Sequence, residues 1–209
     1  MLDYWESLFK NEGALWKFEP SDSAIKAMNL FKSNGLNKIL IPGCGYGRNA
    51  KLFDDNGFDV TGIEISKSAI DIAKSNGMHC KFHHGLVTSM PFDDERYDGI
   101  FCYSLLHLLN KLERKIFLKS CHNQLKGGGL MYFVVASKQM DFYGSGRYIS
   151  KDRYKIPNGL KVYFYDAISL SKEFSDFGIF ECNEIIEPIK YLEGNQSIKL
   201  LYVICKKPK

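Results

Sequence analysis

Long apolar runs are missing from this 209-residue chain. None approaches the roughly 20 residues that a membrane-spanning helix needs, so no membrane partner is expected. Strong charge of one sign is missing as well. The 28 Lys and Arg against 24 Asp and Glu leave +4, too mild to mark a nucleic-acid binder unless the cations cluster. No two cysteines form a C-x-x-C pair. Cys44, Cys80, Cys102, Cys121, Cys182 and Cys205 follow no regular spacing, which argues against a zinc site or a disulfide framework and predicts no metal. Most of them sit inside apolar runs, where a free thiol acts as a small hydrophobe. The stretch MLDYWESLFKNEG carries Asp3 and Glu6 and has no basic region ahead of an apolar one, unlike a secretory leader. Together these absences predict a reduced, cytoplasmic protein. The P-loop signature is missing too, which excludes ATP or GTP bound in that way.

What is present is an alternation. Runs rich in β-branched and aromatic residues at KILIP (38–42), FDVTGIEI (58–65), HCKFHH (79–84), YDGIFCYS (97–104) and LMYFVVAS (130–137) predict five strands. Helical patterns fall between most of them. Ala24, Ile25, Met28 and Phe31 keep a helical period over 22–33. Ser66 is placed to cap KSAIDIAKSN, with Gly77 at its end. Asn110 and Glu113 make an approximate capping box before a helix that Gly127–Gly129 is expected to end. Residues 138–165 show no clear period. A helix over 166–177 starts at Asp166 and stops at Gly178, and strands at 180–189 and 198–207 follow, joined by KYLEGNQS. So short a loop makes these two a hairpin.

Strands alternating with helices imply right-handed crossovers. The expected fold is therefore α/β, one Rossmann-like doubly wound sheet of seven strands with helices on both faces. It is mostly parallel and ends in a C-terminal hairpin that adds an antiparallel strand. One domain covers 1–209: an N-terminal helical or lid segment (1–36), a ligand-binding core (37–137), a loop insertion (138–165), and a closing helix and hairpin (166–209).

The motif with chemical content is ILIPGCGYGRNA, 39–50. A strand running into Gly43, Gly45 and Gly47 and then a helix presents backbone N–H groups to an anion or nucleotide, and the glycines let it approach. Glu64 ends the next strand, 21 positions after Gly43 (64 − 43), near the offset of a ribose-binding carboxylate. Arg48 stands where a dinucleotide fingerprint would need its last glycine, and no second βαβ half remains to hold a nicotinamide.

At these residues the chain resembles class I S-adenosylmethionine-dependent methyltransferases. The motifs are ILIPGCGYGRNAKLFDDNGFDVTGIEIS, MPFDDERYDGIFCYSLLHLL and LKGGGLMYFV, in order over about 37–136. Pro42, Glu64 in GIEIS, Trp5 and Trp16 are similar to thiopurine, thiol and halide methyltransferases. GCGYGRNAKLFDDNGFDV and the tail from Tyr163 to Lys206 are similar to tellurite-resistance methyltransferases. The resemblance implies S-adenosylmethionine as cofactor and a small, soft methyl acceptor. It implies that Gly43, Cys44 and Gly45 lie along the methionine part, with Gly47 also at the cofactor, that Glu64 holds the ribose and that Ile65 packs on adenine. Leu86 stands where many members carry an acid, which leaves the Val87 backbone to read the adenine edge. Ile41 and Pro42 replace the usual acid before the glycines, so the ammonium needs another acceptor, the Cys102 or Tyr103 carbonyl. Arg48 is a candidate for the cofactor carboxylate or a solvated first-turn arginine.

Methyl transfer from a sulfonium is an in-line displacement that needs position and a dry cavity rather than a protein nucleophile. Tyr103 and His107 follow the fourth strand and are the catalytic candidates, His107 as general base or as an ordinary packed histidine. Trp5, Trp16 and Tyr46 are candidates for a lid or pocket wall, or for plain core covering. His83 and His84 alternate across a strand and cannot share a metal. The 137–161 segment holds Lys138, Arg147, Lys151, Arg153, Lys155 and Lys161 against Asp141 and Asp152, with Tyr143, Tyr148 and Tyr154 interleaved. It reads first as a lid over a small molecule, with Tyr143 and Tyr148 at the pocket, and second as an RNA-binding loop. A cofactor-binding regulator without turnover is the third reading.

Overall fold

A computed structural model describes residues 2–190 and 196–209. Its elements, in chain order, are α1 Leu2–Glu12, α2 Asp22–Ser33, β1 Lys38–Pro42, α3 Ala50–Asp55, β2 Asp59–Glu64, α4 Lys67–Ser75, β3 Lys81–His84, β4 Tyr97–Tyr103, α5 Lys111–Gln124, β5 Leu125–Ala136, β6 Arg147–Ser150, β7 Arg153–Lys155, β8 Lys161–Tyr163, α6 Ala167–Phe174, β9 Ile179–Pro188 and β10 Ser197–Lys206. Seven strands form one sheet in the order β3-β2-β1-β4-β5-β10-β9, and β6-β7-β8 form a small separate sheet. β1 to β5 pair in parallel, while β10 runs antiparallel to both β5 and β9. This is the sheet expected from the sequence, with β10 as its one reversed strand. The joining KYLEGNQS segment lies largely outside the described residues; the Ile189 N–H meets the Gln196 carbonyl at 2.8 Å where description resumes.

The central strands β1, β2 and β4 are mostly buried because both faces of the sheet are covered there, while the edge strands β3 and β9 are largely exposed. Alternation sends Leu40, Ile100 and Cys102 to one side, against Phe117, Leu118, Leu170 and Phe174 of α5 and α6. Ile39, Ile41 and Phe101 go to the other, against Ala24 and Phe31 of α2, Phe53 of α3 and Ala73 of α4. Burying one such side chain contributes about 1.5–3 kcal/mol.

The capping signals act as read. Ser66 accepts the Ala69 N–H at 3.1 Å. Asn110 accepts the Glu113 N–H at 3.0 Å while Glu113 takes the Asn110 N–H at 2.6 Å. Asp166 forms a box with Ser169, and Gly178 follows in the left-handed region at φ 71°. The glycine run is a correction. α5 ends at Gln124, and Gly127–Gly129 lie inside β5 rather than closing the helix. A Cβ on Gly129 would stand 2.7 Å from the Asp98 carbonyl and one on Gly127 3.2 Å from that of Pro208. Close neighbouring backbone, not helix termination, demands these glycines. Residues 138–165 also hold more structure than expected, since β6, β7 and β8 form an antiparallel meander. Strands of three or four residues are too short to show a period.

Candidate active site

β1 and β2 run side by side, β4 lies on the other side of β1, and their carboxyl ends open at the point where strand order reverses, the usual ligand crevice of such sheets. The glycine turn sits there with Gly43, Gly45 and Gly47 at φ of 66°, 57° and 85°. Each answers a different demand. A Cβ on Gly43 would lie 2.8 Å from Leu105 Cδ2, and one on Gly47 2.1 Å from Met78 Sδ. On Gly45 the nearest atom would be Phe9 Cζ at 3.8 Å. Gly43 and Gly47 thus admit neighbouring side chains, and only Gly45 is left clear.

Glu64 caps this turn. Its Oε2 accepts the Gly45 N–H at 2.8 Å, and its Oε1 accepts those of Ile65 and Ser66 at 2.9 and 3.0 Å. The side chain is buried, not an exposed strand-end charge outside the core. Burial raises its pKa while the three N–H groups oppose that. A carboxylate offers about four lone-pair directions, so one remains, on Oε2, toward the cavity.

That cavity measures about 660 Å³, inside the range of small-molecule and cofactor sites. Gly43, Cys44, Gly45, Arg48, Glu64, Ile65, Leu86, Val87 and Tyr103 line it, so most of the residues expected at the cofactor are brought together. Gly47 and Cys102 are not among the lining residues. Gly47 is turned to Met78, and Cys102 is fully buried in the core. Arg48 holds its guanidinium 5.7 Å from the centre of the Tyr103 ring rather than extending into solvent. Burial pushes the Cys44 thiol well up, so it stays neutral.

Aromatic side chains form one side of the cavity. Trp5 and Phe9 of α1 stack at 5.8 Å, and Trp16 lies nearly parallel to Tyr46 at 6.1 Å. The buried Tyr46 hydroxyl accepts the Trp16 N–H at 2.9 Å and donates to the Lys17 carbonyl at 2.7 Å. Trp5, Trp16 and Tyr46 all face the cavity. A latch not foreseen from the sequence holds α1 down. Glu6 accepts the Ser66 hydroxyl at 2.7 Å, the Ser68 hydroxyl at 2.6 Å and the Ser68 N–H at 3.2 Å. The Ser68 and Ser66 hydroxyls lower its pKa to about 2.

The insertion supplies another wall, with different residues from those expected. Met140, Phe142, Ile156, Leu160 and Val162 line the cavity, while Tyr143 and Tyr148 do not. Tyr143 donates to Asp152 at 2.7 Å, and Tyr148 is 64% exposed. The cations divide in the same way. Lys138 pairs with Asp152 and Asp166 at 2.8 and 2.7 Å, and Arg153 donates to the Leu108 and Leu109 carbonyls. Arg147, Lys151, Lys155 and Lys161 stay exposed.

His107 lines the cavity but is buried, and burial lowers its pKa to about 4. Its Nδ1 accepts the Ala136 N–H at 3.1 Å. A ring whose lone pair is already occupied is ill suited to take a proton from an acceptor, which weighs against His107 as general base. His83 bonds Asp93 at 2.7 Å and His84 the Ile65 carbonyl at 2.9 Å, in different directions. Among the described residues no group of three His, Cys, Asp or Glu could hold a metal. Glu187 of β9 also reaches the cavity wall, where it accepts the Asp22 N–H at 2.6 Å, the Ser23 N–H at 3.1 Å and the Ser23 hydroxyl. These bonds tie β9 to the start of α2.

Comparison with known proteins agrees with this geometry. Residues 40–133 match the methyltransferase domain family. The ubiquinone biosynthesis O-methyltransferase of Coxiella burnetii is 28% identical over 109 residues, 50% of this chain and 46% of that protein. The chain thus spans about half the length of the curated relatives it matches. A solved structure from echinomycin biosynthesis, where a disulfide bond becomes a thioacetal group, superposes with TM-score 0.76 at 17% identity, over 100% of this chain and 93% of that one. The 1,6-didemethyltoxoflavin-N1-methyltransferase of Burkholderia thailandensis, solved with S-adenosylhomocysteine bound, gives 0.74 at 17% identity, over 100% and 87%. The cavity suits that cofactor class: a carboxylate direction at the end of β2, bare backbone at Gly45 and the apolar Ile65 and Val87. Residues 40–133 carry a methyltransferase domain, and the chain as a whole has the fold of a solved methyltransferase that binds S-adenosylhomocysteine.

Proposed function

We propose that this chain, as one unit over 1–209, moves the methyl group of S-adenosylmethionine to a small molecule whose reacting atom is a soft nucleophile of the sulfur, selenium or tellurium type. The observation that carries the reading is the cavity itself. One cavity of about 660 Å³ has the glycine turn and Glu64 on one side, and on the other a roof of Trp5, Phe9 and Trp16 and a wall of Phe142 and Val162. That is room for a cofactor and a compact acceptor in a largely apolar space, which strengthens the interactions that orient them.

The cofactor supplies a methyl group on a positively charged sulfur. The chain's own residues do the rest. Glu64 and the Val87 backbone are assigned to the adenosine, Tyr103 and the glycine turn to the methionine part, and Arg48 to its carboxylate. α1 and the insertion exclude water. The sulfur chemistry of the echinomycin structure supports a soft acceptor. RNA as substrate is less well supported, because the exposed cations of the insertion belong to none of the cavity-lining residues. A purely regulatory role has no feature of the cavity in its favour. Six free thiols among the described residues suit a reducing compartment such as the cytoplasm, and no described helix is long and apolar enough to cross a membrane.

The test is formation of S-adenosylhomocysteine across thiols, tellurite, selenite, halides, thiopurines and tRNA. Turnover with one or more soft small acceptors is expected. Turnover with tRNA alone contradicts the proposal, and tight cofactor binding with no turnover on any acceptor favours the regulator.

A further inference from the structure

The bond between His107 and Ala136 fixes a tautomer. A backbone N–H can only donate, so Nδ1 carries the lone pair and the proton of the neutral ring sits on Nε2. Nε2 meets no partner among the described residues. Among the described residues the one fully buried side-chain nitrogen or oxygen without a partner is Gln124 Oε1; Nε2 is therefore not sealed in the core, and His107 lines the cavity. His107 lies between the buried Leu106 and Leu108 in one 3₁₀ turn. The result is an N–H donor with a fixed direction in a largely apolar space.

The carboxylates of the same cavity are committed to backbone. Glu64 holds three N–H groups, Glu187 holds two and a hydroxyl, and Glu113 holds the Asn110 N–H. Taking up a proton would weaken each of these contacts. The wall around the acceptor therefore gives hydrogen bonds more readily than it takes protons.

We propose that His107 is a hydrogen-bond donor to the reacting atom, and that the acceptor arrives already ionised, as a thiolate, a selenolate or an equally acidic nucleophile with an apolar body. This rests on the methyltransferase reading above and narrows it. The acceptor's proton goes to solvent before binding. A lone pair of the anion forms the bond to the methyl carbon, and the carbon–sulfonium bond breaks with its electron pair staying on the cofactor's sulfur. An anion and a cation become two neutral thioethers, or a selenoether and a thioether. Alcohols, whose protons solvent does not remove at neutral pH, need a base in this step and are excluded.

The probe is para-nitrothiophenol, whose thiolate is coloured. It is titrated on protein saturated with S-adenosylhomocysteine, so that no turnover occurs. The bound thiol should ionise about tenfold more readily than the free one, because a donor stabilises the anion. His107→Leu should abolish that gain, and His107→Gln, which keeps an N–H, should retain most of it. With S-adenosylmethionine present, His107→Leu should raise KM for the same thiol by about tenfold and leave kcat no lower, because the donor holds the anion most strongly before its charge is lost. A bound thiol that ionises no more readily than the free one overturns the proposal, as does failure of the thiol to bind. Comparable turnover of aliphatic alcohols does so as well. Failure of S-adenosylhomocysteine to bind would instead remove the underlying methyltransferase reading, so the two failures are distinct.

Discussion

Glu64→Gln changes one group and keeps the shape of the side chain. The native carboxylate serves the N–H groups of Gly45, Ile65 and Ser66. A glutamine can still serve two through its oxygen, but it turns an NH₂ toward the third. One orphaned N–H costs about 1–3 kcal/mol. For a chain of this size each kcal/mol moves the melting temperature by about 2–4 °C, so a fall of about 2–12 °C is expected. The substitution also removes the charge that would receive the ribose, worth about 1.5–3 kcal/mol, or a dissociation constant about 10- to 150-fold weaker. Thermal melts with and without S-adenosylhomocysteine, together with calorimetry, separate the two effects. The variant should melt lower and gain little further stability from the ligand. An unchanged dissociation constant refutes the role given to Glu64, whatever the melting temperature does, because the turn alone accounts for a loss of stability.

Gly45→Val places a β-branched side chain at φ 57° beside the cavity, and calorimetry should show loss of cofactor binding from a protein that still melts cooperatively; retained binding means the turn does not meet the cofactor. The Glu6 latch is pH-dependent. Its pKa is lowered from 4.5 to about 2, so its contribution is present above about 4.5 and is lost as pH falls toward 2. Fluorescence of Trp5 and Trp16 should change across that window, and Glu6→Gln should show the changed signal already at neutral pH; a native signal in that variant refutes the latch. Neutralising Arg147, Lys151, Lys155 and Lys161 together should leave cofactor binding nearly intact, with RNA affinity weak from the start. If those four residues bind a single strand, each lost contact should instead lower the log–log salt slope by about 0.7.

What was legible in the sequence was local. Ser66, Asn110 with Glu113, and Asp166 each cap a helix through partners three residues away, and the apolar runs of β1, β4 and β5 are strands wherever both faces are covered. Gly127–Gly129 misled because glycine commonly ends a helix, while here the reason lies in the Asp98 carbonyl and the far end of the chain. Phe142 rather than Tyr143 faces the cavity, a choice between adjacent aromatics that only the tertiary packing makes. Glu6 reaches Ser66 across 60 positions and His107 reaches Ala136 across 29. No spacing rule joins either pair. The offset from Gly43 puts Glu64 at the end of β2, but its bond to the Gly45 N–H and its burial are made by tertiary structure.

The central claim is that this cavity holds S-adenosylmethionine, and calorimetry on the unmodified chain tests it most directly. Titrated in turn with S-adenosylhomocysteine, NAD and ATP, the protein should bind the first at a single site and give no comparable heat with the other two. NAD or ATP binding as tightly as S-adenosylhomocysteine, or no binding of S-adenosylhomocysteine at all, would contradict the account.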